Sequence, residues 1–171
     1  VAKKNAGNGG QTLDEKVVKV QYDKTGYGPD VFNDHVLEYI TQHQSAPFFI
    51  YYPMVLAHDP WETTPDKRDE AASDQEKFVA MMAYMDKLVG KVIDKVEEVG
   101  LADRTLILFV GDNGTGRDIL SRQYGRQVRG AKGETIDAGS RVPFIIWGPG
   151  VVEEGGVNDS LVNLNDVLPT I

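Results

Sequence analysis

The 171-residue chain contains no cysteine. That excludes a disulfide framework and any thiolate metal site, and it leaves the redox compartment open. Positive charge is also in short supply. Lys and Arg number 18 against 26 Asp and Glu, for a net charge of −8. Nucleic acids and anionic membrane surfaces both select clustered cations, so an acidic chain is a poor partner for either. Long apolar runs are missing too. The longest, Pro47 to Ala57, falls well short of the roughly 20 residues that span a bilayer. No signal segment opens the chain, whose first residue is Val1. Asn165–Ile171 reads as the opening turns of a helix that stops early, so both ends read as truncated.

What is present is ordinary for one soluble domain: 41% hydrophobic and 26% charged residues. Residues 1–14 are polar and Gly-rich and read as loop or disorder. The Val-rich stretch Glu15–Gln21 predicts a short strand. A helix is expected from Asp30 to His43, opened by Pro29 or Asp30, with Phe32, Val36, Leu37 and Ile40 on one face. Phe48–Tyr52 is apolar without alternation, the pattern of a strand buried on both faces of a parallel sheet. The clearest helix is Ser73–Val99. Ser73 and Glu76 form a capping box, a stripe runs from Phe78 through Met81, Met82, Met85, Leu88, Val89, Val92 and Val96 to Val99, and Gly100 closes it. Strands are expected at Thr105–Val110 and Val142–Trp147. This alternation predicts an α/β fold with a mostly parallel sheet flanked by helices.

Ligands of open α/β sheets gather at the carboxyl ends of strands, and three polar clusters fall there. Asp112 and Asn113 follow the Thr105–Val110 strand and offer two hard oxygen donors, fewer than the six to eight or so that Ca²⁺ takes. Asp-Asn-Gly is equally good turn chemistry. His58 follows the Phe48–Tyr52 strand and can serve as an acid or donor, or simply as a packed or capping histidine. His35 and His43 lie on or beside the first helix and read as structural or solvent-facing. Lys132 sits among glycines, a setting that suits an oxyanion and equally a solvated surface lysine. Arg117, Arg122, Arg126 and Arg129 make its loop locally basic in an acidic chain, which hints at an anionic ligand. There is no Gly-x-Ser-x-Gly elbow, no Walker loop and no His-Glu-x-x-His.

Four ordered segments carry a resemblance over residues 27–171. Pro47–Trp61 resembles the sulfatase family, in which a buried strand leads to a histidine before a proline. Phe109–Thr115 is similar to that family's second metal-binding segment, Gly130–Pro143 to its lysine loop, and Asn163–Thr170 to the start of the helix that follows. The resemblance implies an incomplete sulfatase-like domain of the alkaline phosphatase superfamily over residues 1–171. It implies Asp112 and Asn113 as ligands of a divalent metal, usually Ca²⁺, with His58 and Lys132 on the sulfate ester. It also implies a parent acting on sulfate esters, such as those of a sulfated carbohydrate, in the periplasm or outside the cell. The family's formylglycine nucleophile comes from a Cys or Ser in a Cys/Ser-x-Pro/Ala-x-Arg segment, and this chain has none. The family's aspartate pair and its other site lysine and histidine are also missing here, so the chain alone is expected to be inactive. Two alternatives stand beside this reading. One is a phosphodiesterase or phosphonate hydrolase of the same superfamily; the other is a non-catalytic module that binds sulfated glycans through the basic loop.

Overall fold

The computed structural model describes residues 26–67 and 73–171. The strand expected over Glu15–Gln21 and the loop over residues 1–14 lie outside them. Helix α1 spans Gly28–His43. Pro29 falls in its first turn, where its fixed φ suits the helix and its missing N–H costs nothing, and Asp30 adds an acid at the positive end of the helix dipole. Helix α2 spans Asp74–Glu98 and begins as the sequence predicts. The Ser73 hydroxyl accepts from the Glu76 N–H, while the Glu76 carboxylate accepts from the Ser73 N–H at 2.8 Å. Gly100, just past the end, adopts φ +70°, where a side chain would be strained.

Helix α2 serves both hydrophobic clusters found among the described residues. Phe78, Met81, Tyr84 and Leu88 pack with Leu56, Trp61 and Ile119. One helical stretch further on, Val96 packs with Ile40 of α1 and Leu101, and Phe48, Ile50, Ile107 and Trp147 close around them. Fully burying one such aliphatic side chain contributes about 1.5–3 kcal/mol. Asn33 of α1 is completely buried, and its Nδ2 donates to the Leu88 carbonyl at 3.1 Å, fixing α1 against α2.

The strands differ from expectation. Strand β1 (Ile107–Val110) pairs antiparallel with β4 (Phe144–Trp147), Ile107 opposite Trp147 and Val110 opposite Phe144. Strand β2 (Leu120–Gln123) and β3 (Arg126–Arg129) form a hairpin where the sequence pattern predicts a long loop. A short helix α3 (Asp137–Ser140) lies between β3 and β4, and α4 (Val167–Thr170) follows a 3-10 turn at Leu164–Asp166. Both ladders among the described residues are antiparallel, so the mostly parallel sheet does not appear there. Phe48–Tyr52 enters no ladder among the described residues. Phe48 and Ile50 face the core while Phe49 and Tyr51 are 71% and 81% exposed, so one face is buried rather than two. Between this segment and β1 lies an open cavity of about 1890 Å³, with Met85, Val89 and Val92 of α2 among its lining. The dense apolar run that reads as doubly buried thus forms one wall of an open cleft.

Candidate active site

His58 is presented by a turn with an anchor on each side. Leu56 and Trp61 are buried in the first cluster, whereas the His58 side chain is 60% exposed. The Trp61 ring meets Phe78 edge to face at 5.4 Å, and its indole N–H donates to the Asp118 carboxylate. The turn is therefore tied both to α2 and to the loop that leads into β2. The Leu56–Ala57 and Asp59–Pro60 peptides within it are cis.

Lys132 comes to the same place along a different path. Its backbone N–H donates to the Thr115 carbonyl at 3.0 Å, and Gly130 N–H donates to the Ile119 carbonyl at 2.9 Å. Ala131 is buried between them, which turns the Lys132 side chain outward. The result is a contact of 2.8 Å between Lys132 Nζ and His58 Nε2, across 74 residues of sequence. On the other side of the imidazole, Nδ1 lies 2.6 Å from the Asp59 carbonyl and 3.1 Å from Asp59 Oδ1. Nδ1 faces only oxygens and so carries the proton. Nε2 then accepts from the lysine ammonium, whose two other N–H groups are left for an incoming ligand.

Asp112 and Asn113 follow β1, as expected. The peptide on each side of them is held: Gly111 N–H donates to the Pro143 carbonyl at 3.0 Å and Gly114 N–H to the Gly139 carbonyl at 2.9 Å. A side chain at Gly114 would overlap the Ala138 carbonyl, so the close approach of α3 demands glycine here. Asn113 Nδ2 donates to Asp112 Oδ2 at 2.6 Å. That leaves Asp112 Oδ1 and the Asn113 amide oxygen as hard donors. They fit a divalent cation of the Ca²⁺ or Mg²⁺ type as part of a coordination shell. Among the described residues no group of three or more His, Cys, Asp or Glu converges to complete one.

All four residues singled out from the sequence, His58, Asp112, Asn113 and Lys132, line the one cavity between the extended segment and β1. His35 and His43 stay apart from it, His43 stacked on Tyr39 and His35 3.9 Å from Glu38. The sequence reading missed Asp59 as the group behind His58 and Asp118 as the anchor of Trp61. Asp59 was visible as the next residue in the chain; the Trp61–Asp118 pairing spans 57 positions and had no local signal.

Sequence comparison now decides the family: the Sulfatase family profile matches residues 4–171. The chain belongs to the sulfatase family. This sulfatase chain is 26% identical over 141 residues to an arylsulfatase of Hemicentrotus pulcherrimus, covering 82% of the chain and 25% of that relative. It is 30% identical over 138 residues to human arylsulfatase A, covering 80% of the chain and 27% of the relative. Its fold is similar to that in the crystal structure of Ps i-CgsB, with a TM-score of 0.67 and 24% identity over 79% of this chain and 31% of that one. A second structure of Ps i-CgsB, in complex with k-i-k-neocarrahexaose, gives a TM-score of 0.58 and 22% identity over 75% of this chain and 30% of that one. The chain therefore spans about a quarter of the length of the curated relatives it matches. An α/β sulfatase fold is supported, and membership of the family implies a divalent metal.

Proposed function

We propose that residues 1–171 are one part of a sulfatase catalytic domain and form one wall of the site at which the whole protein hydrolyses a sulfate ester. The observation that carries this reading is the 2.8 Å approach of Lys132 Nζ to His58 Nε2 on a cavity that Asp112 and Asn113 also line. A sulfate monoester brings negative charge, and cleavage of its S–O bond spreads that charge toward the leaving oxygen. Lys132 is placed to donate to the sulfate oxygens. His58, relieved of the lysine contact when the ester enters, takes a proton from solvent water on Nε2. It gives that proton to the leaving oxygen as the S–O bond breaks and the sulfur passes to a nucleophile supplied from outside residues 1–171. Asp59, 3.1 Å behind Nδ1, stabilises the imidazolium in between. Asp112 and Asn113 would hold the metal, with Ca²⁺ the favoured ion, and a cation bound there supplies Lewis-acid stabilisation of the same charge. The substrate class is a sulfated carbohydrate, a reading supported by the sugar bound to the structurally similar Ps i-CgsB.

The test compares turnover of an aryl sulfate with that of the matching aryl phosphate diester, using the whole protein and the 171-residue chain separately. Hydrolysis of the sulfate in preference to the diester by the whole protein is expected, abolished by EGTA and restored by Ca²⁺. No turnover is expected from the chain alone. Preference for the diester would support the phosphodiesterase reading instead, and turnover by the isolated chain would contradict the assignment of a partial site.

A further inference from the structure

The β2–β3 hairpin has features that the site just described does not use. Residues 117–132 hold Arg117, Arg122, Arg126, Arg129 and Lys132 against the single acid Asp118, in a chain whose net charge is −8. Arg117 is committed to Glu134, and Arg129 Nη1 donates to the Arg117 carbonyl at 3.0 Å. Arg122 and Arg126 meet no carboxylate among the described residues. The register decides how the cations are arranged. Leu120 pairs with Arg129 and Arg122 with Gln127, so Arg122 and Arg129 share a face as diagonal neighbours, about 7–8 Å apart. Arg126 pairs with Gln123 and falls on the opposite face.

The tip adds a second, independent observation. Tyr124 and Gly125 make the two-residue turn with φ of 49° and 78°. Positive φ at both positions is what a right-twisted hairpin requires, and Asn or Asp satisfies the first at least cost. A tyrosine there is uncommon, costs on the order of 1–2 kcal/mol, and in this chain is 89% exposed. Among the described residues almost no packing offsets that cost. The base of the hairpin is fastened to the site: Gly130 N–H donates to the Ile119 carbonyl at 2.9 Å, Lys132 N–H to the Thr115 carbonyl at 3.0 Å, and Leu120 N–H to Gln75 Oε1 at 2.8 Å. Four residues per strand, at about 3.4 Å each, carry the tip about 14 Å outward from that base.

We propose that the Arg122–Arg129 face and Tyr124 form a subsite for a further sulfated sugar unit of the substrate, beyond the unit whose ester is cleaved. A planar guanidinium matches two oxygens of a sulfate group in parallel, and an exposed ring of mixed character can lie against a sugar. The proposal rests on the reading of the substrate as a sulfated carbohydrate, but it is read out by binding alone. The affinity of the whole protein, held in EGTA to stop turnover, for a sulfated galactan hexasaccharide is measured by titration calorimetry, beside its desulfated counterpart and a single-stranded oligonucleotide of equal charge. Arg122→Gln is expected to weaken binding of the sulfated sugar about tenfold. Tyr124→Asn, which keeps the turn, is expected to weaken it several-fold, and Arg126→Gln by less than about twofold, since it lies on the other face. The same Arg122 effect in a Lys132→Ala background separates this subsite from the cleavage site, so failure of the catalytic reading leaves the test intact. Equal losses from Arg122→Gln and Arg126→Gln, equal affinity for the oligonucleotide, or no binding by the unsubstituted whole protein overturns the proposal.

Discussion

Tyr84 shows how much one side chain can connect. Its ring is buried against the first cluster and meets Tyr27 edge to face at 5.3 Å, while its hydroxyl donates to both oxygens of Asp30, at 2.7 and 2.9 Å. Burial above all, then the bond to Asp30 and the charge of that carboxylate, raise its pKa well above the ordinary value of 10.0. Burial also raises Tyr27. Folding thus favours the protonated phenols. Their contribution is fully present below the unfolded value, about pH 10, and is lost as pH rises from there through the folded values. Tyr84→Phe is expected to cost about 1–2 kcal/mol near neutral pH, because Asp30 loses its partner. It is also expected to make the alkaline loss of stability shallower. Urea unfolding near pH 7 and above about pH 10 measures both; parallel alkaline slopes for the two proteins would falsify the linkage. Tyr84 lies on α2 beside Met85, yet the sequence stripe named only the aliphatic, Phe and Met positions. Asn33 was passed over for the same reason: periodicity of apolar residues says nothing about a buried amide that pays for its burial with one long-range hydrogen bond.

Elements were legible wherever the signal is local. Helix α2 announces itself by Ser73, Glu76 and Gly100, and the structure places its first helical residue directly after the predicted cap. Ser73→Ala removes the acceptor for the Glu76 N–H and is expected to lower stability by about 1 kcal/mol, seen as a lower urea midpoint at unchanged slope. A fall no larger than that of an exposed mid-helix substitution on α2 would show the cap to be redundant. The β2–β3 hairpin was illegible for two reasons. Leu-Ser-Arg-Gln and Arg-Gln-Val-Arg do not alternate apolar with polar, and Tyr-Gly is not the turn pair a hairpin ordinarily carries. Phe48–Tyr52 was read as doubly buried because composition alone cannot tell a covered face from an open one. Its inward residues Phe48 and Ile50 lie on α1 and α2, and its outward residues face the cavity and solvent.

At the scale of the whole molecule, three segments distant in sequence meet at one cavity. The turn at His58, the end of β1 at Asp112 and the loop at Lys132 are held there by two backbone anchors, a buried tryptophan and the packing of α3 against Gly114. Each segment carries its own local motif in the sequence; their meeting depends on long-range contacts that no local pattern encodes. The uncovered apolar residues beside the cleft, Phe49, Tyr51 and Ile145 among them, belong to a chain that spans about a quarter of its curated relatives. The central claim is that Lys132 and His58 act together on a sulfate ester. The most direct measurement is kcat/KM of the whole protein for an aryl sulfate, with Lys132→Ala and His58→Ala compared under saturating Ca²⁺. Losses of about 10²–10³ in each single variant are expected, with a larger loss in the double variant, because the two groups act on different oxygens of the same ester. Near-normal turnover in Lys132→Ala, in a protein of unchanged circular dichroism, would contradict the account.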